Sequence, residues 1–413
     1  MKFSAPKGTK DILPEESYIW QYAEDKAREI LARSNYSEIR TPIFESTELF
    51  TRGVGGSTDI VNKEMYTFIQ KERSLTLRPE NTAGVARAYI EHGMHKLPAP
   101  LKLWYKGPMF RYERPQAGRQ RQFHQLGIEV FGVKEPSADA EVIEIAMWYL
   151  NELNIPNLSL EINNIGCPDC RQEHRENIKN AVRAKLPEFC ADCQVRFEKN
   201  PLRMLDCKNE NCRDMFSSSM IDEIINADYQ CDDCSEHFTI LKDYLDKLNI
   251  SYKINKKLVR GLDYYNRTVF EITSTSLGAQ NAVCGGGRYD PLVEMIGGAA
   301  TPAVGWAIGL ERLISLMPNP EKSSIPVFIV SSLPDEALNL VFELRKSGIA
   351  SDFDLAGRKF AKQLEKASKI NAKYSIILAE DEISSKTLTL KNMQTGEQEK
   401  LPREIAIKKL KNI

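Results

Sequence analysis

Four arginines crowd a short polar stretch between two apolar segments of the chain. They are Arg111, Arg114, Arg119 and Arg121, and proline and glycine stand among them. Because the planar guanidinium donates two parallel hydrogen bonds, arginine suits phosphate and carboxylate ligands. A basic loop between two strands could close over a triphosphate, whereas a solvated charged hairpin explains the same residues without any ligand. Composition alone slightly favours the solvated hairpin.

A second polar cluster spans residues 260–265 and reads Arg-Gly-Leu-Asp-Tyr-Tyr. The surrounding residues, 258–273, have the pattern of a strand. Burying an arginine, an aspartate and two tyrosines in one strand without partners costs free energy. The cluster therefore indicates either a polar cleft or a salt-bridged edge strand, and the residues themselves favour neither.

Eight of the nine cysteines form four local pairs within one polar segment. The pairs are Cys167/Cys170, Cys190/Cys193, Cys207/Cys212 and Cys231/Cys234. Three of them have two intervening residues, the spacing at which two thiolates reach one tetrahedral zinc ion. We therefore predict up to two structural zinc sites, with reduced thiols of a disused site as the alternative. The pattern does not say which pairs combine. The polar residues between the pairs predict a poor apolar core for this segment.

Other motifs exclude familiar nucleotide and hydrolase sites. The glycines at 285–287 lack the spacing of a dinucleotide fingerprint, and residues 53–58 lack the ending of a P-loop. We predict turns at both places, or close approach of the backbone to a ligand. None of the five histidines stands in a nucleophile motif with serine or cysteine. If the protein uses ATP, the nucleotide must bind to another fold.

Length and charge place broad limits on the protein. The chain has 413 residues and a formal net charge of -1. This length predicts two or three domains, and the balanced charge leaves nucleic-acid binding to local basic patches. No apolar run has the character of a signal peptide or a membrane span. We therefore expect a cytoplasmic protein without a membrane partner, in which paired cysteines bind metal rather than form disulfides.

Two strands must flank the arginine loop if it is to act on a ligand. Residues 101–112 and 123–131 have the pattern of such strands. On the second strand, Gln125 and Glu129 share one face and apolar side chains occupy the other. The pattern is typical of a half-solvated sheet, and it predicts that these two polar groups point the same way.

The remaining elements are predicted from periodicity and from turn residues. In chain order they are a helix from Pro14, an edge strand or interface over 37–45, a glycine turn over 284–290, a helix over 303–316 and a linker over 318–324. A small α/β domain of mixed or parallel sheet should follow the linker. Its buried strands over 327–330 and 374–378 alternate with amphipathic helices near 335–346 and 358–369.

Taken together, segments along nearly the whole chain resemble the histidyl-tRNA synthetase family of class II aminoacyl-tRNA synthetases. The segments are 7–11 (Lys-Gly-Thr-Lys-Asp), 77–82 (Leu-Arg-Pro-Glu-Asn-Thr), 109–115 (Met-Phe-Arg-Tyr-Glu-Arg-Pro), 121–127 (Arg-Gln-Phe-His-Gln-Leu-Gly), 260–265, 282–290 (Ala-Val-Cys-Gly-Gly-Gly-Arg-Tyr-Asp) and 305–312. Those at 260–265 and 282–290 resemble the family's own histidine signatures, and others resemble elements common to class II. The resemblance implies an α+β catalytic domain over 1–322, with an antiparallel sheet flanked by helices. It also implies a cysteine-rich insertion at 166–245 and a C-terminal α/β anticodon-binding domain over 325–413.

The resemblance also implies roles for individual residues. Arg111 and Arg260 resemble the catalytic arginines that contact the α-phosphate. The implied histidine site consists of Glu80, Asn81, Thr82, Arg111, Gln125, Glu129, Arg260, Tyr264 and Tyr265. Within it, Glu80, Thr82 and Gln125 would hold the α-amino group, while Glu129 and the two tyrosines would read the imidazole. The implied ATP site consists of Arg111, Glu113, Arg119, Phe123 and Arg312, with adenine between the last two.

The function implied by the resemblance is ligation of L-histidine to its tRNA by a homodimer, with ATP and Mg²⁺ and through a histidyl adenylate. Zinc stays undecided, because insertions vary within the family. If zinc is bound, its loss should impair transfer to tRNA more than adenylate formation. Two alternatives are a regulatory paralogue without catalysis and an RNA-binding protein whose functional part is the zinc module. The first is disfavoured by Arg111, Arg260 and Arg312, and by the roughly ninety residues after the linker, which can form a domain.

Overall fold

The computed structural model describes residues 3–56, 58–115, 118–207, 209–216, 229–277, 281–321 and 326–411. The chain divides into two compact units, Met1–Pro320 and Glu321–Ile413. Among the described residues, no helix is long and apolar enough to cross a membrane.

The first unit is built on an eight-stranded sheet. The strands described in this unit are β1 (Ser37–Glu38), β2 (Phe44–Ser46), β3 (Tyr66–Gln70), β4 (Arg73–Leu77), β5 (Leu101–Phe110), β6 (Gln122–Phe131), β7 (Leu158–Asn164), β8 (Tyr252–Ile254), β9 (Asn266–Ser274), β10 (Ala282–Arg288) and β11 (Ala303–Gly309). The large sheet has the order β1-β5-β6-β11-β10-β9-β7-β8, and β2-β4-β3 form a smaller sheet. All pairs from β5 to β7 across the large sheet are antiparallel, which confirms the predicted fold class.

Helices cover one face of the large sheet. The α-helices described in this unit are α1 (Pro14–Arg33), α2 (Thr47–Phe50), α3 (Thr82–Glu91), α4 (Pro136–Glu152), α5 (Pro168–Val182), α6 (Ala191–Lys199), α7 (Glu210–Phe216), α8 (Asp232–Lys247), α9 (Leu292–Met295) and α10 (Leu310–Leu316). Apolar side chains of α1, α4 and α8 pack with Leu126, Ile128 and Val130 of β6 in one core. A second core, on the opposite face of the large sheet, contains Phe131 and several tyrosines, among them Tyr105. Residues 126–131 of β6 are therefore buried on both faces, so the half-solvated interpretation was wrong for that part of the strand.

The predicted hairpin is confirmed as β5 and β6, whose residues pair in register from Leu101 with Phe131 to Phe110 with Gln122. The helix predicted from Pro14 is also confirmed. The extended segment 37–45 is instead divided between two sheets, with β1 at the edge of the large sheet and β2 in the small one. Pro42 lies in the connection between β1 and β2, where its missing N–H breaks no ladder.

Three sequence predictions around the glycines were wrong. Residues 303–309 form a strand, and only residues 310–316 are helical, because β11 is paired on both sides by β6 and β10. The glycines at 285–287 lie within β10 rather than in a turn. Residues 260–265 form bends and turns, and the strand begins at Asn266. In the first two cases long-range strand pairing, which local spacing does not encode, decides the backbone.

The cysteine-rich segment contains α5, α6 and α7, and it has an apolar core of its own. That core includes Ile178, Phe189, Phe197 and Phe216. The prediction of a poor core was therefore wrong. Near the end of this segment, Leu241 of α8 packs in the main core beneath the large sheet.

The second unit has a five-stranded mixed sheet between two layers of helices. Its described elements are β12 (Val327–Ser331), α11 (Pro334–Lys346), β13 (Ser351–Phe353), α12 (Phe360–Lys369), β14 (Tyr374–Leu378), α13 (Glu380–Ser384), β15 (Thr387–Asn392), β16 (Gln398–Pro402) and α14 (Arg403–Leu410). The strand order is β13-β12-β14-β15-β16, with β12 parallel to both neighbours. Residues of α11 and α14 pack on one face and Ala367 of α12 packs on the other. The predicted α/β character is confirmed.

Candidate active site

A cavity of about 340 Å³ opens on the face of the large sheet away from α1 and α4. Residues of β6, β10 and β11 line it, together with the loop 260–265 and the arginine hairpin. Every residue predicted for the histidine and ATP sites lines this cavity except Asn81. The Asn81 side chain instead accepts hydrogen bonds from Thr41 (2.6 Å) and Arg78 (3.3 Å).

A buried carboxylate lies at the end of the cavity that is rich in tyrosine. Thr82 Oγ1 donates to Glu129 Oε1 at 2.7 Å, and the Tyr289 hydroxyl donates to Oε2. Burial raises the pKa of the Glu129 carboxyl to about 8, although these two hydrogen bonds oppose the shift. Gly305 is paired with Glu129 across the sheet, and a Cβ at Gly305 would lie 2.1 Å from Oε2. Glycine is therefore required there to admit the carboxylate.

Aromatic rings surround this carboxylate. The centroids of Tyr264 and Tyr265 are 4.7 Å apart, and Tyr289 lies 5.6 Å from Tyr264 with its ring edge-on. Tyr105 also lines the cavity and is buried beside Gly127. The result is a narrow pocket whose walls are aromatic and whose base carries one acidic group. Such a pocket suits a flat ligand with a polar N–H.

The start of α3 supplies a second acidic group. Backbone N–H groups of Thr82 (2.7 Å) and Ala83 (3.1 Å) donate to the Glu80 carboxylate. Burial raises the pKa of Glu80, and these backbone hydrogen bonds oppose that effect. Nearby, Gln125 Oε1 is buried and has no hydrogen-bond partner within the described part of the chain. An unpaired buried acceptor is costly, so this atom is ready to receive a donor from a ligand.

Arginines line the opposite end of the cavity. Arg111 donates through Nε to the Pro79 carbonyl at 2.8 Å, and its guanidinium lies 5.3 Å from the centre of the Phe123 ring. Arg119 forms an ion pair of 2.7 Å with Glu113. Arg312 donates to the Ala282 carbonyl at 2.9 Å. Arg111, Arg119 and Arg312 all line the cavity. The arginine hairpin therefore borders a cleft, whereas its composition had slightly favoured a solvated hairpin.

Arg260 enters the cavity from its loop and forms an ion pair with Glu271 of β9. Its guanidinium passes over β10 where Gly285 has no side chain, since a Cβ there would lie 1.8 Å from Arg260 Nη2. The Arg260 Nε is buried and has no hydrogen-bond partner in the described residues. Of the two interpretations of residues 260–265, the polar cleft is the one that the structure shows.

The eight paired cysteines come together in two groups of four. Cys167, Cys170, Cys231 and Cys234 form the first group, and Cys190, Cys193, Cys207 and Cys212 form the second. In each group all Sγ atoms lie within 4.8 Å of one another. Cys284 lies outside both groups and is buried.

Comparison with known proteins decides the family. The family model described as histidyl-tRNA synthetase matches residues 8–313, and an anticodon binding domain model matches residues 321–413. The chain belongs to the histidyl-tRNA synthetase family. It is therefore an aminoacyl-tRNA synthetase of class II, and such an enzyme uses ATP. Among its relatives, a histidine–tRNA ligase of Acetivibrio thermocellus is 49% identical, with 100% of both chains covered. The ligase of Clostridium novyi is also 49% identical, over 96% of each chain.

A solved synthetase structure has the same overall fold. The crystal structure of the apo histidyl-tRNA synthetase of S. aureus superposes with a TM-score of 0.82 and 36% identity, covering 99% of this chain and 100% of that one. The family model and the anticodon binding domain model meet between residues 313 and 321, near the division of the structure after Pro320.

Several residues of this synthetase cavity were not assigned from the sequence. Tyr105, Glu271, Gly285, Tyr289 and Gly305 all line it. Tyr289 and Gly285 stood within a segment that resembled the family, but nothing local showed that they face Glu129 and Arg260. Register is the missing information, because Gly285 pairs with Glu271 and Gly305 pairs with Glu129 across neighbouring strands. The run of glycines was the sequence feature that could have indicated this site, because glycine within a strand often marks a place where a ligand or another chain segment approaches the backbone closely.

Proposed function

We propose that the chain is a histidine–tRNA ligase. It activates L-histidine with ATP to histidyl adenylate and pyrophosphate, then transfers histidine to the 3′ end of its tRNA. The observation that carries this proposal is the buried Glu129, which sits among tyrosines at one end of an arginine-lined cavity. Its carboxyl can exchange a hydrogen bond with an imidazole nitrogen. A site built for that group rejects amino acids that lack it.

The other roles in the histidine site are assigned to polar side chains that lack a partner among the described residues or are held in place by hydrogen bonds. Gln125 Oε1, which has no partner among the described residues, accepts from the substrate ammonium, and the Glu80 carboxylate, held by backbone N–H groups, supplies its charge partner. Thr82 contributes its hydroxyl between Glu129 and the cavity. Tyr264 and Tyr265 pack on the imidazole. Asn81 fills a supporting role, since its amide fixes Arg78 and Thr41 rather than the ligand.

ATP occupies the arginine-rich end. Phe123 and Arg312 lie on either side of the adenine, with Glu113 at its edge, and Arg119 faces the distal phosphates. Arg111 lies beside the Phe123 ring, and its guanidinium can turn from that ring to the α-phosphate and the histidine carboxylate.

The first step forms a bond between a carboxylate oxygen of histidine and the α-phosphorus, and breaks the bond to pyrophosphate. No side-chain nucleophile is required, because the carboxylate itself attacks. Arg111 and Arg260 neutralise the charge that develops on the α-phosphate. Glu271 is a carboxylate of the cavity that would hold Mg²⁺, and the ion would supply further charge neutralisation on the phosphates. The tRNA terminal hydroxyl then attacks the acyl carbon, and AMP leaves.

The larger organisation is proposed on the same basis. Residues 1–322 form the catalytic core with a cysteine-rich insertion at 166–245, and residues 325–413 bind the anticodon. The enzyme works as a homodimer. Phe44 and Phe68, two exposed aromatic side chains of the small sheet whose rings are in contact, support this, since exposed apolar patches mark protein interfaces. The nine free cysteines fit the reducing cytoplasm, where translation takes place.

The test is ATP–pyrophosphate exchange with each of the standard amino acids. We expect exchange with histidine alone. Exchange with a different amino acid would contradict the assignment of Glu129, and exchange with none would favour the regulatory alternative. An Arg260→His variant serves as the control for background exchange, because it should lose most of the signal.

A further inference from the structure

The two cysteine groups have the dimensions of single-ion sites. Cys167 Sγ and Cys170 Sγ are 3.5 Å apart, and Cys190 Sγ and Cys207 Sγ are 3.7 Å apart. Four thiolates bound at about 2.3 Å around one tetrahedral zinc ion would be separated by about 3.8 Å. An iron–sulfur cluster needs a wider cage than groups whose Sγ atoms all lie within 4.8 Å. The spacing therefore fits one ion in each group.

Backbone hydrogen bonds cross between the pairs of each group. The N–H of Cys167 points at Cys234 Sγ (3.3 Å), and the N–H of Cys231 points at Cys170 Sγ (3.2 Å). In the second group the N–H of Cys190 points at Cys212 Sγ (3.3 Å). Such donors stabilise a thiolate and orient it toward a metal. They also fix which pairs combine, a question that the sequence left open.

We propose that the chain binds two structural zinc ions, one in each cysteine group, and that the first ion positions the loop that reads histidine. Four thiolates fill a tetrahedral coordination sphere, so neither ion has a position for substrate or water. The second half of this proposal rests on the proposed function, whereas the first half stands on the sulfur geometry alone.

Arg171 connects the first zinc site to the histidine loop. It follows Cys170 directly, in the first turn of α5. Its guanidinium donates to the Tyr265 carbonyl and lies 3.5 Å from the Asp263 carbonyl. A zinc ion that fixes Cys167 and Cys170 therefore fixes the start of α5, and with it the backbone that carries Tyr264 and Tyr265. Arg171 is a positioning residue in this scheme, because it lies outside the residues that line the cavity.

The second cysteine group supports the same loop from another side. Asn200, at the end of α6, donates to Asp263 Oδ1 at 2.8 Å. Arg196 forms an ion pair of 2.9 Å with Asp59, near the cavity residue Ile60. Because the insertion contacts the amino-acid site in this way, we revise the expectation that zinc loss chiefly affects transfer to tRNA. Adenylate formation should suffer as well.

Elemental analysis of the full chain, purified without chelator, tests the metal. We expect two zinc ions per chain, one in a Cys167→Ser/Cys170→Ser variant and one in a Cys190→Ser/Cys193→Ser variant. Less than half an equivalent of zinc, with eight thiols freely titratable in the native protein, would overturn the sites. So would iron in place of zinc, or disulfides within the pairs.

An Arg171→Met variant tests the positioning of the loop. Losing a hydrogen bond from a charged group should raise the histidine KM in pyrophosphate exchange about tenfold. The ATP KM and the content of two zinc ions should not change. Lys179→Met is the matched control, since it removes one charge from the same helix and its partner is the neighbouring Glu176. An unchanged histidine KM in Arg171→Met would contradict the positioning role.

Hydrogen exchange separates this inference from the proposed function. Deuterium uptake by residues 260–265 should rise in Arg171→Met and in the Cys167→Ser/Cys170→Ser variant, and stay at the wild-type level in Lys179→Met. This readout needs no catalysis. If the wild-type chain failed to exchange pyrophosphate with histidine, the proposed function would fall, while zinc content and loop uptake would still decide the inference. Equal uptake in all variants would overturn it.

Discussion

The Glu129 side chain serves substrate specificity, and its burial also lowers the stability of the fold at high pH. The residue is 1% exposed, and the pKa of its carboxyl is raised to about 8, chiefly by burial. In the ligand-free protein it therefore holds a proton at neutral pH. The hydroxyl groups of Thr82 and Tyr289 already contact its oxygens, so the cavity offers a group whose proton can be exchanged with an imidazole. Aliphatic amino acids would leave this group without a partner.

The raised pKa of Glu129 predicts a pH dependence of stability. A carboxyl whose folded pKa exceeds its unfolded value of 4.5 stabilises the fold below that value and loses its contribution as pH rises to about 8. Between pH 5 and 8.5 the ligand-free protein should therefore lose a few kcal/mol relative to Glu129→Gln, which cannot ionise. Urea unfolding of both proteins at several pH values measures the difference. Parallel stability curves would show that the carboxyl is not buried in the protonated form.

Arg260 predicts a kinetic effect of a different kind. Arg260→His should lower kcat of histidine activation roughly a hundredfold, because a donor to the developing charge of the α-phosphate is lost. The histidine KM should change much less. Arg28→His, on the exposed face of α1, is the control. Normal turnover with a raised histidine KM would instead place Arg260 in substrate binding.

At the scale of single residues, every site residue that the resemblance implied lines the cavity except Asn81, and chemistry explained their types. What the sequence could not provide was their partners. Tyr289 reaches Glu129 only because β6, β11 and β10 are adjacent, although the two residues are far apart in the chain. Asn81 shows the opposite case, since its neighbours Glu80 and Thr82 line the cavity while its own side chain points away. The direction of a side chain beside a helix start depends on tertiary packing.

At the scale of elements, two neighbouring glycines of β10 are required for different reasons. A Cβ at Gly285 would meet the flexible end of Arg260, whereas a Cβ at Gly286 would lie 2.3 Å from the backbone oxygen of Gly305. The first glycine therefore serves the site and the second serves the packing of strands. A turn was predicted here because glycine is typical of turns, and local sequence does not distinguish a turn from a close approach within a sheet.

Substitutions in β10 should separate the two roles. Gly285→Ala should displace Arg260 and reduce activation about as much as Arg260→His, with a melting temperature close to wild type. Gly286→Ala should lower the melting temperature, because backbone must move. Gly56→Ala is the control, since nothing lies within 4 Å of its added carbon. Scanning calorimetry and exchange kinetics on the same samples provide both readouts. A large loss of stability in Gly285→Ala with normal kinetics would reverse the assignment.

The residues of β11 were predicted to be helical, and that prediction was wrong for a related reason. Gly305 and Gly309 are four residues apart, which fits a helix, but Val304, Trp306 and Ile308 alternate as a strand should and all are buried. Both periods were present in the sequence. The choice between them depended on the neighbours β6 and β10, which supply hydrogen bonds on both edges.

For the molecule as a whole, a linker and the change of pattern after it predicted a second unit, and the structure divides the chain after Pro320. The alternation of strands and helices in the second unit was readable because its buried strands are short, apolar and bounded by turns. The first unit was harder. Its sheet joins strands from Ser37 to Gly309, and such long-range order follows from topology rather than from any local signal.

The proposed homodimer predicts a response to charge on the small sheet. Phe44, Phe68 and Ile69 are exposed on β2 and β3, and Ile69 is 75% exposed. Phe68→Asp/Ile69→Asp should convert the dimer to a monomer, because a charge buried in an interface is costly. Leu355→Asp is the matched control, since Leu355 is an exposed apolar residue of the other unit. Sedimentation velocity measures the outcome. A variant that sediments like wild type would place the interface elsewhere.

The glycines at 285, 286, 287 and 305 also bear on how this enzyme tolerates change over evolutionary time. Each glycine within a strand costs roughly 0.5–1 kcal/mol relative to alanine, and these four stand in the middle of the sheet. The fold therefore begins with a smaller margin above the threshold of stability. Fewer mildly destabilising substitutions elsewhere in the catalytic unit are then needed to bring the free energy of unfolding below that threshold than in a sheet of β-branched residues. Lineages that accumulate such substitutions need compensating ones at positions remote from the cavity.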